Sequence, residues 1–235
     1  MLSIIIPTLN EEKYLPTLLD FLKKQTFQDY EIIVADAGSK DKSLEIAKNY
    51  GCQITSGGLP AKGRNEGAKL AQSNLFLFMD ADNVYLSEDF LKNLLEGFKK
   101  RKLDVAAFPI YPDGNRFDKF AYGIYNWWAK FSQNFLPHAT NSILVKKEIF
   151  EKISGFDEKI KIGEDHDFVR RASKIGKFGF IEIEPILTSV RRFEREGRLK
   201  TYLKILLAGI YIVFLGPVKT DIFKYRFNHY LQGKK

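Results

Sequence analysis

The sequence predicts an α/β fold, a mainly parallel twisted sheet flanked by helices on both faces. Three observations lead there. Over residues 1–110 short apolar runs alternate with amphipathic stretches, the pattern of strand–helix–strand units. The apolar runs are continuous, as in "LSIIIP" and "LFLFM", which implies strands covered on both faces. At 235 residues, 45% hydrophobic and 28% charged, the chain can bury such a core and is expected to be globular.

The elements follow in order. "LSIIIP" is a short β-branched strand, and "EEKYLPTLLDFLKKQ" has helical spacing, with Asn10 placed to cap it. "YEIIVADAG" is the next strand, and "SKDKSLEIAKNYG" a helix closed by Gly51. "CQIT" is a weak strand before the helix in "AKGRNEGAKLAQS". "NLFLFMDAD" carries the fourth strand, "SEDFLKNLLEGFKKR" a helix and "LDVAAFP" a strand. Beyond about residue 110 the pattern changes. "NRFDKFAYGIYNWWAKFSQNFL" is an aromatic-rich amphipathic stretch, "NSILV" a strand, and "GEDHDFVRRASKIG" a loop entering a helix. "FGFIEIEPILTSVRRF" alternates like edge strands, and "LKTYLKILLAGIYIVFLGPV" is a hydrophobic helix. Neither an internal repeat nor a low-complexity linker is visible.

In an open parallel sheet, ligands bind beyond the carboxyl ends of the strands. After the first strand come Pro7, Thr8, Asn10 and Glu11, and the second ends at Asp36, before Gly38 and Ser39. The fourth ends at Asp80 and Asp82. These residues are expected on one polar, acidic rim bordered by helix N-termini, which attract phosphate. Two carboxylates one residue apart can face one hard divalent cation, which would also take phosphate oxygens. The strand would then be a rigid mount for a metal–diphosphate site. Taken alone, "DAD" reads as loop acids in water, and Arg64 as a solvated helix residue.

Composition bounds the partners. A formal net charge of +8 suits nucleic acid, an anionic membrane surface or phosphorylated substrates, without choosing among them. Cys52 is the single cysteine, so the chain has no internal disulfide framework, as suits a reducing cytoplasm. "MLSIIIPTLNEE" is too short in apolar residues for a signal peptide and has no basic n-region. Residues 205–218 carry no charge, between Lys204 and Lys219. A hydrocarbon core needs ~20 residues, so a span is not expected. Aromatics from Phe117 to Phe131, interleaved with lysines, suit a membrane interface; the alternative is that both segments cover the sheet or a dimer interface.

"SIIIPTLNEEKYL", "EIIVADAGSKDKS", "GRNEGAKLA", "FLFMDADN", "GFDE" and "GEDHDF" occur in that order. As an ordered set, over roughly residues 2 to 195, they resemble the family 2 glycosyltransferases of GT-A fold. The resemblance implies a nucleotide-sugar donor, a UDP-sugar favoured, a divalent metal (Mn²⁺ or Mg²⁺) and inversion at the anomeric carbon. It implies a catalytic domain over 1–195, with 1–110 the nucleotide-binding half and 111–195 the acceptor half, followed by a helical, membrane-associated segment over 196–235. Carried over by residue, Pro7, Thr8 and Glu11 would line the nucleotide pocket. Asp36 would contact the base or ribose, and Arg64 would lie near the base and phosphates. Asp80 would face the ribose or the metal, and Asp82 would be the principal metal ligand.

An inverting transfer to a hydroxyl needs a general base opposite the leaving group. In the family a Glu-Asp pair carries it, which points to Asp165 ahead of Glu164. Acids at a helix N-terminus are also favoured by the macrodipole, and Asp167 and Arg171 have the spacing of an ordinary i,i+4 pair. "TSVRRF" partly matches the Gln-x-x-Arg-Trp motif of processive relatives: Arg192 and Phe193 align, while Ser189 replaces the glutamine, which weakens a processive reading. Arg192 would bind the departing diphosphate or neutralise the acidic site. His138 in "LPHATNS" reads as a solvated loop histidine, or as one facing the acceptor. The C-terminal pattern resembles small membrane-associated members, whose acceptors are often lipid-linked, which implies a hydroxyl acceptor at the inner face of the cell membrane and no nucleic-acid partner.

Two other readings compete. A sugar-phosphate nucleotidyltransferase would want a glycine-rich basic loop after the first strand, where this chain has "PTLNEEKYL". A non-enzymatic basic module for membrane or nucleic acid would not need Asp80, Asp82 and Asp165 intact.

Overall fold

The computed structural model describes residues 1–220 and 222. Its first half alternates β1 (Leu2–Thr8), α1 (Leu15–Lys23), β2 (Tyr30–Asp36), α2 (Ser43–Asn49), β3 (Gln53–Ser56), α3 (Pro60–Leu70) and β4 (Leu75–Phe78). Then follow β5 (Asn83–Tyr85), α4 (Phe90–Lys100), β6 (Val105–Ala107), β7 (Ile110–Pro112), α5 (Arg116–Ser132), β8 (Ile143–Lys146) and α6 (Lys147–Lys152). The chain continues through α7 (Glu164–Ala172), β9 (Phe178–Phe180), β10 (Ile186–Thr188), α8 (Arg191–Glu196) and α9 (Arg198–Leu215).

Seven strands form the main sheet in the order β3-β2-β1-β4-β8-β6-β9, with β8 antiparallel to both its neighbours and the other pairings parallel. The order reverses between β1 and β4, where open α/β sheets form a crevice. The β1–β2 register sets Thr8 beside Asp36 at the strand ends, and β4 runs on into Asp80.

Strand periodicity divides the core. Leu2, Ile4 and Ile6 of β1, with Leu77 and Met79, face one cluster that includes Leu18 and Leu22 of α1 and Leu91 and Leu94 of α4. Ile5, Phe76 and Phe78 face the other, with Ala61 and Ala68 of α3, Phe156, and Phe168 of α7. Phe156 and Phe168 stack at 4.1 Å, and Phe78 meets Phe156 edge-on at 5.0 Å. On α3, Gly67 lies so close to β1 that a Cβ there would run into the Ile5 side chain, and one on Gly63 would stand 3.0 Å from Pro7 Cβ. Two glycines thus let α3 lie flush on β1 and carry Arg64 down to the strand ends.

Three sequence expectations are corrected. The first helix begins at Leu15, not after Asn10: Asn10 has φ 55°, and its side-chain oxygen accepts from Lys40 N at 2.8 Å, so it staples two loops and caps no helix. β10 is not an edge strand. It is the middle strand of a second sheet, β5-β10-β7, whose short outer members "NVY" and "IYP" carry too few residues to show a period. The uncharged run over 205–218 is not one element, since α9 stops at Leu215 and Gly216 turns at φ 86°. Gly51 does close α2, at φ 74° with its N–H on Lys48 O.

Candidate active site

The rim is built around Arg64. Its guanidinium donates from Nη1 to Glu164 Oε1 at 2.7 Å and from Nη2 to Asp80 Oδ1 at 2.9 Å, and it lies over the Phe156 ring at 5.3 Å. The residue is 3% exposed, so it is not a solvated helix residue. Its charge is held in place by Asp80, Glu164 and Asp165 together. One buried cation thus couples the Asp-x-Asp turn to the Glu-Asp pair across the sheet.

Burial raises Asp80's pKa to about 7, and the charges of Asp82, Glu164 and Asp165 push the same way against Arg64. The side chain keeps 34% of its surface, so water tempers the burial effect, and the crowding of acids is the firmer cause. Asn83, fully buried, pins the turn by donating from Nδ2 to Asp80 O at 2.9 Å. Ser189 N donates to Asp82 O at 3.0 Å, which ties the end of β10 to the same turn.

That tie delivers Arg191. Its guanidinium grips Glu11 at 2.5 and 2.7 Å, reaches Asp82 Oδ2 at 3.2 Å, and lies 4.9 Å from the centre of the Tyr14 ring. Burial raises the Glu11 pKa, and Arg191 offsets part of the rise. Arg192 is half-buried beside it, within electrostatic reach of Asp82 and Glu196, and burial lowers its pKa.

At the other end of the crevice, Asp36 accepts from Gly38 N and Ser39 N, each at 2.9 Å, and from Ser39 Oγ. Thr8 is buried and its hydroxyl turns back to Ile6 O. Pro7 is half-buried against Gly63. Buried Asn10 Nδ2 has no hydrogen-bond partner, leaving an amide donor near Asp36 unspent.

Glu164 and Asp165 open α7 directly after Gly163, whose φ of 80° turns the chain. Burial and the adjacent Asp165 raise the Glu164 pKa, and Arg64 opposes them. Asp165 stays half-buried, with Oδ1 accepting from His166 N at 2.8 Å. The expected Asp167–Arg171 pair is formed at 2.7 Å. His138 is not a solvated loop histidine. It is 8% exposed, accepts from Trp128 Nε1 at 3.1 Å, and lies edge-on to the His166 ring at 5.3 Å. Burial, helped by His166 and Arg170, lowers its pKa to about 4.

Among the described residues no three acids, histidines or cysteines group closely enough to enclose a metal. The donor set present is Asp80 and Asp82, two hard oxygen ligands that repel each other. That fits a divalent cation taking its remaining ligands from water and substrate phosphate.

Residues 3–156 match the family model described as glycosyl transferase family 2. The chain belongs to glycosyl transferase family 2. Over 204 residues it is 30% identical to the minor teichoic acid biosynthesis protein GgaB of Bacillus subtilis, covering 77% of this chain and 22% of that protein. It is 29% identical over 191 residues to the glycosyltransferase EpsJ of the same organism, covering 72% of this chain and 54% of the other. The chain therefore spans only part of the curated relatives it matches. Among solved structures, Staphylococcus aureus TarS 1–349 in complex with UDP-GlcNAc superposes with a TM-score of 0.67 at 22% identity, covering 80% of this chain and 58% of that one. The mannosyltransferase PcManGT of Pyrobaculum calidifontis, with GDP-Man and Mn²⁺, gives 0.62 at 16% identity, with 80% and 56% covered. These likenesses show the GT-A fold.

For this family 2 chain, sequence reasoning missed Arg191, Asn83 and the roof formed by Trp128 over His138. Two adjacent arginines cannot be told apart by composition. Which one reaches the rim depends on the phase of α8, fixed by Phe193 stacking on Tyr202 at 4.8 Å. The aromatic Phe193 directly after the arginine pair was the available signal.

Proposed function

We propose that the chain transfers a sugar, with inversion, from a nucleotide-diphosphate donor to an acceptor hydroxyl, with Asp165 as the general base. The observation that carries the reading is the Asp80–Arg64–Glu164 ion-pair chain, which holds the candidate donor end and the candidate base in one rigid rim. Glu164 is bound to Arg64, so Asp165 is the carboxylate of the pair left to face an incoming hydroxyl. A divalent cation held by Asp82 and Asp80 would supply positive charge against the diphosphate. Arg191 and Arg192 flank that place and supply further positive charge to the leaving group. Asn10 Nδ2 and Asp36 offer a donor and an acceptor to the nucleoside. The acceptor oxygen bonds to the anomeric carbon as the carbon–phosphate-oxygen bond breaks, and its proton passes to Asp165. A UDP-sugar is the favoured donor, because TarS was solved with UDP and with UDP-GlcNAc; the Mn²⁺ of PcManGT supports the metal. The acceptor hydroxyl belongs to a lipid-borne molecule, and the protein works at the inner face of the cell membrane.

The test is release of UDP from UDP-GlcNAc in Mn²⁺, where water stands in for the acceptor. Asp165→Asn keeps the shape and removes the proton-accepting charge. Turnover should fall about 10²–10⁴-fold, the usual contribution of a positioned base, with UDP affinity by calorimetry unchanged. Wild-type turnover in Asp165→Asn would move the base elsewhere.

A further inference from the structure

Most of the exposed large apolar side chains of the described residues lie on α5 and α9. On α5, Phe120, Trp127, Phe131 and Phe135 just beyond it are 66%, 62%, 58% and 65% exposed. On α9, Leu203, Leu206, Ile210 and Phe214 also face outward. The two helices are stitched at Asp118, fully buried under α5, which takes Arg198 Nε at 3.1 Å and the Tyr202 hydroxyl at 3.0 Å. The Phe117 and Tyr202 rings meet edge-on at 5.5 Å, which extends one helix's apolar face onto the other. Scattered exposed leucines need no explanation, but a contiguous aromatic and aliphatic face does.

Charge identifies what covers it. Asp118 is the only acid in α5, and α9 contains none, so the two helices present only cations to solvent. Arg116, Lys119 and Lys200 are exposed there. Lys130 and Lys204 also stand on these helices and pair with Glu182 and Glu196 of neighbouring segments. Two copies meeting through this face would set like cations against each other across a two-fold axis. An anionic headgroup layer neutralises them, while tryptophan, phenylalanine and lysine stems settle at the interface depth. Among the described residues no helix is long and apolar enough to cross a membrane, so docked helices would lie in the interface plane.

The same helices touch the catalytic rim at its Asp165 end. Trp128 of α5 holds His138, which stands against His166 next to Asp165. Ile212 of α9 packs on Gly163 so closely that a Cβ there would stand 2.6 Å from Ile212 Cδ1, and Arg170 of α7 donates to Ile212 O at 3.1 Å. We infer that the joined outer faces of α5 and α9 dock on an anionic lipid leaflet, in the plane of its interface, with the Asp165 side of the rim turned toward the bilayer. A lipid-borne acceptor then reaches Asp165 from the leaflet, a consequence that rests on the glycosyltransferase reading; the docking does not.

The test uses the full chain with phosphatidylcholine vesicles, with and without phosphatidylglycerol. The two tryptophans of the chain, Trp127 and Trp128, both lie on α5, so tryptophan emission reports on this helix, with Trp127 the more exposed of the two. Phosphatidylglycerol vesicles should shift the emission to the blue, and brominated acyl chains should quench it. Phe120→Ser with Leu206→Gln, and separately Lys119→Glu with Lys200→Glu, should weaken vesicle co-sedimentation about tenfold or more, with thermal unfolding and UDP affinity unchanged. Vesicle binding without a blue shift or quenching would overturn the assignment of this face. So would variants that bind as the wild type does, or a concentration-dependent dimer that Phe120→Ser dissociates in place of vesicle binding. Quenching by lipid in a protein with no UDP-sugar turnover would keep the docking and remove the UDP-sugar transfer reading.

Discussion

Arg64 carries more of this site than any other side chain. It faces two carboxylates with its own side chain almost wholly buried, and a third acid, Asp165, adds to the field. Replacing it by alanine leaves Glu164 buried and charged without its partner. A broken buried pair costs ~3–5 kcal/mol, and the exposed third of Asp80 places this one toward the lower end. The cost depends on pH in a defined sense. Asp80 and Glu164 already hold protons more tightly than free carboxylates, and removing Arg64 raises both further. Arg64→Ala should therefore lose less stability at low pH, where Asp80 and Glu164 can take up protons, than at high pH, where their negative charge is left without its partner. Urea unfolding of both proteins across a pH series measures this, and a loss that does not change with pH would refute it. In the sequence Asp80, Asp82, Glu164 and Asp165 were legible as candidates, because acids after a buried strand or before a helix are easy to see. Their bridging by one arginine from a third element was not, since burial of an arginine leaves no trace in local sequence.

At the scale of elements, the placement of Arg64 rests on how closely α3 approaches β1. Gly67→Ala forces a methyl into Ile5 and should lift the helix, costing about 1–3 kcal/mol, the usual range for overpacking, and weakening UDP binding with it. Gly209→Ala in α9 is the control. Nothing lies within 4 Å of its Cβ, so the gain in helix propensity should stabilise by about 0.5–1 kcal/mol. If both variants unfold at the same urea concentration, close packing of α3 is not what positions Arg64. The strand–helix alternation through β4 was readable because each run is either wholly apolar or has helical spacing. The short β5, β7 and β10 were hidden because three residues cannot display a period, and they are what hold Ser189 on Asp82 and thereby aim Arg191. The sequence also placed Asn10 at a helix start, where the competing demand of the Lys40 loop proved stronger.

Across the whole molecule, the Asp165 side of the rim is closed by contacts between parts far apart in sequence, and His138 is the group among them that acid should disturb. Trp128 Nε1 donates to its Nε2, so the ring must be neutral with its proton on Nδ1. Protonation would place a second hydrogen against the indole N–H and a charge beside Arg170 and the His166 ring, in a nearly dry position. Asp165 would favour the charge but is outweighed by burial. The folded pKa near 4 lies below the ordinary 6.5, so the folded state takes up fewer protons than the unfolded chain between those values. Stability from this residue is fully present above pH 6.5 and is lost as pH falls toward 4, to a total of about 3 kcal/mol. Asp41, Asp104 and Asp157, whose pKa values are lowered, add losses of the same sign at lower pH. His138→Gln separates them, since the amide oxygen can accept from Trp128 and does not titrate. Urea unfolding between pH 6.5 and 4 should fall more steeply for the wild type than for His138→Gln, with the tryptophan emission of α5 changing in the same interval. Identical slopes would mean that the ring takes its proton without opening the structure. The Trp128–His138–His166 stack would then be a surface contact, not the wall that holds α5 against Asp165.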